Sequence, residues 1–364
     1  MTGPRRVAVL TGGGDAPGLN AVVRAVAKSA INKGWEVFGV EDGFEGFFTR
    51  NGIRTLSKDD VRGILQTGGS ILRCSNRGDP FRFPKQTDSG WVREDRSGEV
   101  IEKCQTLGLD GLVVIGGDGS LGIAYRLFEK GLPVVGIPKT IDNDVPGTDV
   151  TFGFNTACQT AMEAIDRLHT TAASHQRVMV IEVMGRDAGW IALKAGVSGG
   201  GDVILIPEIP FEPEEVVKKI AAREARGARF SLVVVAEGAT PKSGEKTVAV
   251  TAEDSPTGFE RLGGIGERVA RLLETRLKVE CRVTVLGHVQ RGGSPTTRDR
   301  MLGTRFGVGA VELIEQGRFG HMVALRNESI TSVALKDVVG KSKLVKPDGQ
   351  EVRAAEAIGV GFGR

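Results

Sequence analysis

Three polar motifs in this chain have the residue types and spacing for phosphate chemistry. They read TGGGDAPG at residues 11–18, GGDGS at 116–120 and PKTIDND at 138–144. Glycine amides at the start of a helix bind phosphate oxygens through their N–H groups, and carboxylates hold a Mg²⁺ ion that bridges phosphates. The motifs together predict a site where a phosphoryl group is bound and transferred.

The first motif has two interpretations. A strand-to-helix turn rich in glycine suits a phosphate cradle, but it also suits the turn of a Rossmann dinucleotide site, with Glu41 or Asp42 as the ribose-binding acid. The glycine spacing, G-x-G-x-x-x-G, is one residue longer than the dinucleotide fingerprint. The sequence lacks a Walker A motif, which excludes a P-loop enzyme.

The aspartates of the other two motifs suit different tasks. Asp118 lies between glycines and is placed to hold Mg²⁺, although an Asx-turn at a helix start is the simpler alternative. Asp142 and Asp144 follow Lys139 and Thr140 at one predicted strand end. Phosphoryl transfer needs a base against the acceptor hydroxyl and cations along the phosphates, so one aspartate would be the base and the other would orient it or face the metal. A calcium loop would need the spacing and later glutamate of an EF-hand, which are absent from the sequence.

Four arginines flank two of the later apolar runs: Arg177, Arg186, Arg282 and Arg291. Each alone would fit a surface salt bridge, but guanidinium groups bind phosphate with two parallel hydrogen bonds. The group therefore predicts a sugar-phosphate site. His288 is not expected to bind a metal, because the chain has only 4 His and none pair at i, i+4.

Short, nearly continuous apolar runs between the motifs predict strands buried on both faces of a parallel sheet. They are Val7–Leu10, Val37–Val40, Leu112–Ile115, Val134–Ile137, Val178–Val183, Val203–Leu205, Leu232–Val235 and Val283–Leu286. Amphipathic patterns predict helices over Asn20–Lys33, Thr156–Thr170, Pro213–Arg226 and Glu267–Leu277. The polar motifs come after these runs, and in open α/β sheets ligands bind outside the carboxyl edge. Two polar segments, Asp79–Glu99 and Pro241–Gly264, are predicted to be surface loops or hairpins.

The bulk composition limits the class of protein. A chain of 364 residues predicts one large or two medium domains, and a net charge of +3 gives no reason to expect nucleic acid or an anionic membrane as partner. No apolar run reaches the roughly 18 residues of a membrane helix. The 4 cysteines form no C-x-x-C pair, which favours reduced thiols and predicts a cytoplasmic location.

Taken together, GGDAPGLN, GGDGS, PKTIDND, SHQR, MGRDAG and RVTVLGHVQRGGSPTTRDR resemble the phosphofructokinase family, whose members use ATP or pyrophosphate. The order and spacing match from about Val7 to Arg300. The resemblance implies two similar three-layer α/β/α (Rossmann-like) domains with mostly parallel sheets and an active-site cleft between them. Residues 1–153 plus 291–340 would bind the phosphoryl donor and Mg²⁺, and residues 154–290 plus 341–364 would bind fructose 6-phosphate.

The resemblance also implies roles at the reaction centre. Asp142 looks like the general base that takes the proton from the 1-hydroxyl of the sugar, and Asp144 looks like its supporting acid. Thr140 looks like a phosphate and substrate contact. Gly13 looks like the amide that contacts the transferring phosphoryl group, and Arg186 would also stabilise charge there.

Fructose 6-phosphate would contact residues on several segments: Arg177, Met184, Gly185, Arg186, Glu237, Arg282, His288 and Arg291. Of these, Arg177, Arg282, His288 and Arg291 look like the clamp on the 6-phosphate. In the family, Arg177 and Arg282 come from a neighbouring subunit. The resemblance therefore implies a homodimer or homotetramer with a shared substrate site.

The donor contacts implied by the resemblance are Gly13, Arg77, Asp118, Gly119 and Ser120, with Arg73 as the competitor of Arg77 and Asp118 as the Mg²⁺ residue. Gly119 leaves room for the α-phosphate and ribose, as in ATP users, whereas Lys139 is the residue of pyrophosphate users. We expect ATP, because occlusion of a nucleotide site is absolute while an added cation serves either donor. Pyrophosphate stays the alternative. A non-catalytic sugar-phosphate sensor would have no need of Asp118, Asp142 and Asp144.

Overall fold

The computed structural model describes residues 4–87, 90–244, 246–250 and 261–364. The EDSPTG stretch of the second predicted excursion, residues 253–258, lies outside the described residues. The chain divides into two compact units. The first contains Met1–Thr140, Val145–Asn155 and Arg291–Ser342, and the second contains Ile141–Asp144, Thr156–Gln290 and Lys343–Arg364.

The elements of the described residues alternate between strand and helix along most of the chain. The strands are β1 (Arg6–Thr11), β2 (Glu36–Val40), β3 (Ile53–Thr55), β4 (Phe83–Thr87), β5 (Gly90–Glu94), β6 (Gly111–Gly116), β7 (Val134–Thr140), β8 (Phe152–Gly153), β9 (Val178–Val183), β10 (Val203–Leu205), β11 (Ser231–Ala236), β12 (Val248–Val250), β13 (Arg261–Leu262), β14 (Cys281–Val285), β15 (His321–Arg326) and β16 (Ser329–Ala334). The helices are α1 (Leu19–Asn32), α2 (Ser97–Thr106), α3 (Asp118–Glu129), α4 (Phe154–His175), α5 (Trp190–Ser198), α6 (Pro213–Ala225), α7 (Ile265–Leu277), α8 (Thr297–Glu315) and α9 (Gln350–Ala357).

All eight apolar runs predicted as strands are confirmed, as are the four predicted helices. The predicted helices did not include α2, α3, α5, α8 and α9. The first predicted excursion contains the antiparallel hairpin of β4 and β5, and β12 pairs antiparallel with β13 inside the second. No helix in the described ranges combines the length and apolar character that crossing a bilayer requires.

The first unit is built on a sheet with the strand order β16-β15-β7-β6-β1-β2-β3, and the short β8 pairs with β7. Its central strands are parallel, while the edge strands β3 and β16 are antiparallel to their neighbours. Side chains along β1 alternate between the two faces. Val7 and Val9 pack with α1 and α8, whereas Ala8 and Leu10 pack with α2 and α3. The unit therefore has three layers with the sheet in the middle.

Helices α1 and α8 approach each other closely because small residues lie between them. A Cβ added at Gly307 in α8 would lie 2.6 Å from the Cβ of Ala25 and 2.8 Å from the carbonyl oxygen of Val22, both in α1. These distances are shorter than van der Waals contact, so only glycine fits at this position. The pair forms the layer beneath the N-terminal glycine motif.

The second unit is built on a smaller sheet with the strand order β10-β11-β9-β14, and all four strands are parallel. Helices α6 and α7 pack on one face, and α5 packs on the other, where Gly196 lies against Ile204 and Val234. The sequence predicts β14 to be buried on both faces, and this is wrong. The strand is at the edge of the sheet, and Val285 at its end is 58% exposed.

Candidate active site

The loop after β1, residues 12–15, is held by backbone hydrogen bonds. The N–H of Gly12 donates to the carbonyl of Ile115 at 2.8 Å, and the N–H of Gly13 donates to the carbonyl of Ser75 at 2.9 Å. Gly13 has a φ of 75°, a left-handed conformation that favours glycine. The glycines thus give the loop its shape, and the Gly13 N–H is already engaged in this conformation.

Two polar side chains pack against this loop. The Lys139 ammonium donates to the carbonyl of Gly14, and it would lie 3.4 Å from a Cβ added at Gly13. The hydroxyl of Ser120 lies where a side chain at Gly12 would be, 2.5 Å from an added Cβ. Both side chains are buried. The carboxyl ends of β1 and β7 and the start of α3 therefore meet at one place, as the positions of the motifs predict.

Asp118 is the first residue of α3 and is exposed. One of its carboxylate oxygens accepts a hydrogen bond from the N–H of Gly340 at 3.0 Å. The neighbouring Gly119 is also exposed, and a Cβ added there would meet no atom within 4 Å. The space in front of the α3 N-terminus is therefore open, and a carboxylate borders it.

The two arginines considered for donor binding differ in their partners. Arg73 has a left-handed φ of 56° and pairs with Glu41 and with Asp42. Arg77 is exposed and makes no ion pair within the described residues. Glu41 also accepts from Arg54 at 2.8 Å, so this acid, proposed for ribose binding in the dehydrogenase alternative, is bound by two guanidinium groups.

The aspartate turn, residues 142–144, belongs to the second unit, while Thr140 ends β7 in the first. Asp142 is buried and Asn143 between the aspartates has a left-handed φ of 55°. Lys343, from the segment before α9, contacts this turn twice. Its ammonium donates to the side-chain oxygen of Asn143 at 2.8 Å, and its backbone N–H donates to the carbonyl of Asp144 at 2.7 Å.

The predicted sugar contacts after β9 form a tight backbone turn. Arg186 has a left-handed φ of 50°, and its N–H donates to the carboxylate of Glu237 at 3.1 Å. Gly185 before it is buried and has a φ of 146°, while Met184 is half-buried. Backbone strain of this kind is stored at functional sites more often than elsewhere. The structure therefore brings Arg186 and Glu237 together.

Arg177 and Arg282 meet at one carboxylate, that of Glu280. The Arg177 Nε lies 2.6 Å from one oxygen of Glu280, and Arg282 contacts the other oxygen. The hydrogen bond from Arg177 lowers the pKa of Glu280 from its ordinary value. His288 follows in a short 3-10 helix, Gly287–Gln290, and is exposed.

Arg291 lies in the first unit, apart in this division from the other three residues of the predicted clamp. Its guanidinium donates to the carbonyl of Asp15 at 3.1 Å and lies 2.8 Å from a Cβ added at Gly14. Arg291 therefore contacts the glycine loop in this structure.

Several residues that position the site were not predicted from the sequence. Asn20 in α1 holds the segment before Arg73, because its side chain bonds the backbone of Thr67, Gly68 and Ile71. Glu280 and Lys343 were also missed. Asn20 lies inside the recognised motif GGDAPGLN, so it carried a signal, whereas Glu280 and Lys343 lie in no motif.

Comparison with known proteins identifies the class. A model of the phosphofructokinase family matches residues 6–314. The chain is 50% identical over 361 residues to ATP-dependent 6-phosphofructokinase 2 of Clostridium perfringens, with 98% of each chain covered. The chain belongs to the phosphofructokinase family, and the dehydrogenase alternative is therefore wrong.

Solved structures agree on the fold. Phosphofructokinase from Saccharomyces cerevisiae is similar with a TM-score of 0.76 and 31% identity over 92% of this chain, which spans 45% of the yeast chain. The pyrophosphate-dependent phosphofructokinase from Marinobacter aquaeolei has a TM-score of 0.80 at 21% identity, with 98% of this chain and 92% of that chain covered. At this identity, the second likeness concerns the fold alone.

Proposed function

We propose that this chain is an ATP-dependent 6-phosphofructokinase. It would transfer the γ-phosphoryl group of ATP to the 1-hydroxyl of fructose 6-phosphate, giving fructose 1,6-bisphosphate and ADP in glycolysis. The observation that carries the proposal is the carboxyl end of β7, where Lys139 contacts the glycine loop and the buried Asp142 follows three residues later. One strand end thus supplies a cation for phosphates and a base for the acceptor.

The residues act in distinct roles in this proposal. Asp142 takes the proton from the 1-hydroxyl as that oxygen attacks phosphorus, Asp144 supports it, and Thr140 contacts phosphate and substrate. Arg186 would stabilise charge at the reaction. Gly13 is the predicted phosphoryl contact, but its N–H donates to Ser75, so this contact requires the loop to shift.

The N–H of Gly14 makes no hydrogen bond within the described ranges of the chain. The same holds for the N–H of Asp15, so these two amides of the loop can bind a phosphoryl oxygen without breaking a hydrogen bond. We therefore extend the phosphoryl contact proposed for Gly13 to Gly14.

Asp118 fits a Mg²⁺ ion that is shared with the substrate. Its carboxylate is exposed, and no group of three or more metal-ligating side chains is found among the described residues. Mg²⁺ is commonly held by one or two carboxylates together with substrate phosphates. When bound, the ion would neutralise charge on the phosphate oxygens.

ATP is the proposed donor because the space at Gly119 is open, which leaves room for the α-phosphate and ribose. Ser120 and Arg77 complete the donor contacts, and Arg77 is preferred to Arg73 because Arg73 is paired with two acids. Lys139 favours pyrophosphate as the second candidate. Its ammonium contacts the glycine loop, where it supports either donor.

We assign donor binding to residues 1–153 plus 291–340, and sugar-phosphate binding to residues 154–290 plus 341–364. Arg177, Arg282 and His288 would bind the 6-phosphate, joined by Arg291, the first residue of the segment 291–340. Met184, Gly185, Arg186 and Glu237 would contact the sugar. Both Arg177 and Arg282 are paired with Glu280 in the free protein. To bind the phosphate, they must either break these ion pairs or bind Glu280 and the phosphate at the same time.

A homodimer or homotetramer in which Arg177 and Arg282 serve a neighbouring subunit is part of the proposal. It is supported by the edge position of β14 and by two large apolar side chains there, because Val285 and Val289 are 58% and 61% exposed. Exposed apolar groups beside an open strand edge favour contact with another chain. Molar mass by light scattering, with and without fructose 6-phosphate, tests this part, and a monomer under both conditions would contradict it.

A cytoplasmic location is proposed as well. It is supported by the four cysteines of the sequence, which are widely scattered and form no C-x-x-C pair, as is typical of reduced thiols.

The activity is tested with purified protein, fructose 6-phosphate and Mg²⁺, supplied with either ATP or pyrophosphate, in an assay coupled to fructose 1,6-bisphosphate. We expect turnover with ATP. Turnover with pyrophosphate alone would show that Lys139 decides the donor, and no turnover with either would favour a sugar-phosphate sensor.

A further inference from the structure

The segment Lys343–Val345 lies in none of the sequence motifs, but it contacts two parts of the second unit that are linked to the proposed reaction. Residue 343 contacts the aspartate turn, and the N–H of residue 345 donates to Glu208, which also accepts from Gly189, three residues after the predicted sugar contact Arg186. All three segments belong to the same compact unit.

At the aspartate turn, Lys343 fixes both a side chain and the backbone. Asn143 has a φ of 55°, which costs free energy for a residue other than glycine and persists only where neighbours enforce it. The Lys343 ammonium donates to the side chain of Asn143, and the Lys343 N–H donates to the carbonyl of Asp144. These two bonds hold Asn143 and Asp144, the two residues that directly follow Asp142.

Lys343 is itself held in place. Its carbonyl accepts a hydrogen bond from the Trp190 indole N–H at 2.8 Å, and its ammonium lies 5.9 Å from the centre of the Trp190 ring. The ammonium is thus confined between an amide oxygen and an aromatic face. Since these contacts fix both the backbone and the ammonium of Lys343, the residue can hold the turn in one position.

Glu208 extends the same arrangement to the sugar-binding segment. Its carboxylate accepts from the N–H of Val345 at 2.8 Å and from the N–H of Gly189 at 3.0 Å. Gly189 directly precedes α5 and follows the turn at Arg186. One carboxylate therefore ties the Lys343 segment to the chain that carries the sugar contacts.

We infer that Lys343 is a positioning residue for the phosphoryl-transfer reaction, holding the turn of residues 142–144 so that Asp142 meets the acceptor hydroxyl. The inference rests on the proposed function, because it takes Asp142 as the general base. Misplacement of a reacting group by about 1 Å can cost about 10²-fold in rate. The role predicts a loss in kcat rather than in substrate affinity.

The test uses the full chain and the coupled assay with ATP, Mg²⁺ and fructose 6-phosphate. Lys343→Met removes the ammonium and keeps the backbone bonds to Asp144 and Trp190. We expect kcat to fall at least about tenfold while KM for fructose 6-phosphate changes less than about threefold. Lys343→Arg, which can still donate to Asn143, should recover a substantial part of kcat. Lys346→Met, the same change at an exposed lysine of the same segment, should retain wild-type values.

A double-mutant cycle adds Asn143→Gly to the test. With this second variant, the inference can be tested even if Lys343→Met does not fold. Glycine accepts the left-handed φ and removes the amide that Lys343 bonds. We expect Asn143→Gly alone to lower kcat by a similar factor, and the double variant to lose no more than either single variant.

Wild-type kcat in Lys343→Met, or losses that multiply in the double variant, would overturn the positioning role. If Lys343→Met does not fold, the kcat of Asn143→Gly decides alone. An inactive wild-type protein would instead contradict the proposed function, so the two failures are distinguishable.

Discussion

The candidate site residues of the two units differ in kind. In the first unit, Gly12 and Gly13 are fixed by backbone hydrogen bonds to Ile115 and Ser75. In the second unit, Arg177 and Arg282 are long charged side chains that share Glu280. Backbone geometry is set by the fold, whereas ion pairs between exposed side chains contribute little and can exchange partners. Phosphate contacts of the glycine loop should therefore depend on shape, and those of the arginine pair on charge.

The strands that carry the two groups of residues also differ in how firmly their sheets hold them. The strand ends at the glycine loop come from β1, β6 and β7 in the middle of a large sheet. Arg282 lies on β14, the edge strand of a four-stranded sheet. A central strand is fixed on both sides, but an edge strand leaves one side for another chain. The proposed donor contacts all lie in the first unit, whereas Arg282 of the proposed clamp lies on an edge strand that a second copy of the chain could contact.

The largest expected effect is at the aspartate turn. Asp142→Ser removes the carboxylate that is proposed to accept the proton, so kcat should fall by about 10²–10⁴-fold, the range typical for a general base. KM for fructose 6-phosphate should change little, because the clamp and the sugar contacts remain. Steady-state kinetics measures both values, and near-normal turnover would refute the role of Asp142.

The second prediction concerns charge in the second unit. Arg282→Ala removes the proposed charge-assisted contact to the 6-phosphate. Such contacts are worth about 1.5–3 kcal/mol, so KM for fructose 6-phosphate should rise about 10–150-fold. KM for ATP should stay within about twofold. Arg276→Ala is the matched control, because Arg276 forms a surface ion pair with Glu214 in the same unit. Equal changes in the two variants would contradict a specific clamp.

The third prediction tests shape in the first unit. A methyl group at Gly12 would lie 2.5 Å from the Ser120 hydroxyl, so Gly12→Ala must displace the loop or Ser120. We expect KM for ATP to rise about tenfold, since the loop geometry carries the phosphate contacts. Adding Ser120→Ala removes the clashing oxygen but also a proposed donor contact, so the double variant is compared with Ser120→Ala alone, relative to which its KM for ATP should rise by less than about tenfold. A larger change in KM for fructose 6-phosphate than for ATP would contradict the assignment of the glycine loop to donor binding.

The smallest expected effect is at Glu280. Glu280→Gln weakens its hold on Arg177 and Arg282, so KM for fructose 6-phosphate should fall about two- to threefold. Because the pKa of Glu280 is lowered in the folded protein, its ion pairs stabilise the protein above the ordinary value of 4.5 and are lost as the pH falls through the lowered pKa. The stability difference between wild type and variant, measured by chemical denaturation, should therefore shrink at acid pH. A difference that grows at acid pH would contradict the pairing.

Much of the fold was predictable because buried strands read as continuous apolar runs, as in Val178–Val183 and Leu232–Val235. Helix α3 entered the sequence prediction only through the Asx-turn alternative for Asp118, because it begins with Asp118 and Gly119, residues typical of turns. The glycine and aspartate motifs were visible because their residues are close together in the sequence. Lys343 and Glu280 were not, since they contact Asn143 and Arg177 across 200 and 103 positions of the chain.

The most direct test of donor recognition by shape is the ratio of kcat/KM for ATP to that for pyrophosphate in wild type, Gly119→Ala and Gly119→Asp. A methyl group at Gly119 would meet no protein atom within 4 Å, so Gly119→Ala separates the effect of a small added group from that of a carboxylate. We predict a wild-type ratio well above one and at least a tenfold drop in Gly119→Asp, whose carboxylate fills and charges the open space. A wild-type ratio below one, or an unchanged ratio in Gly119→Asp, would contradict the proposal that this open space accepts the nucleotide.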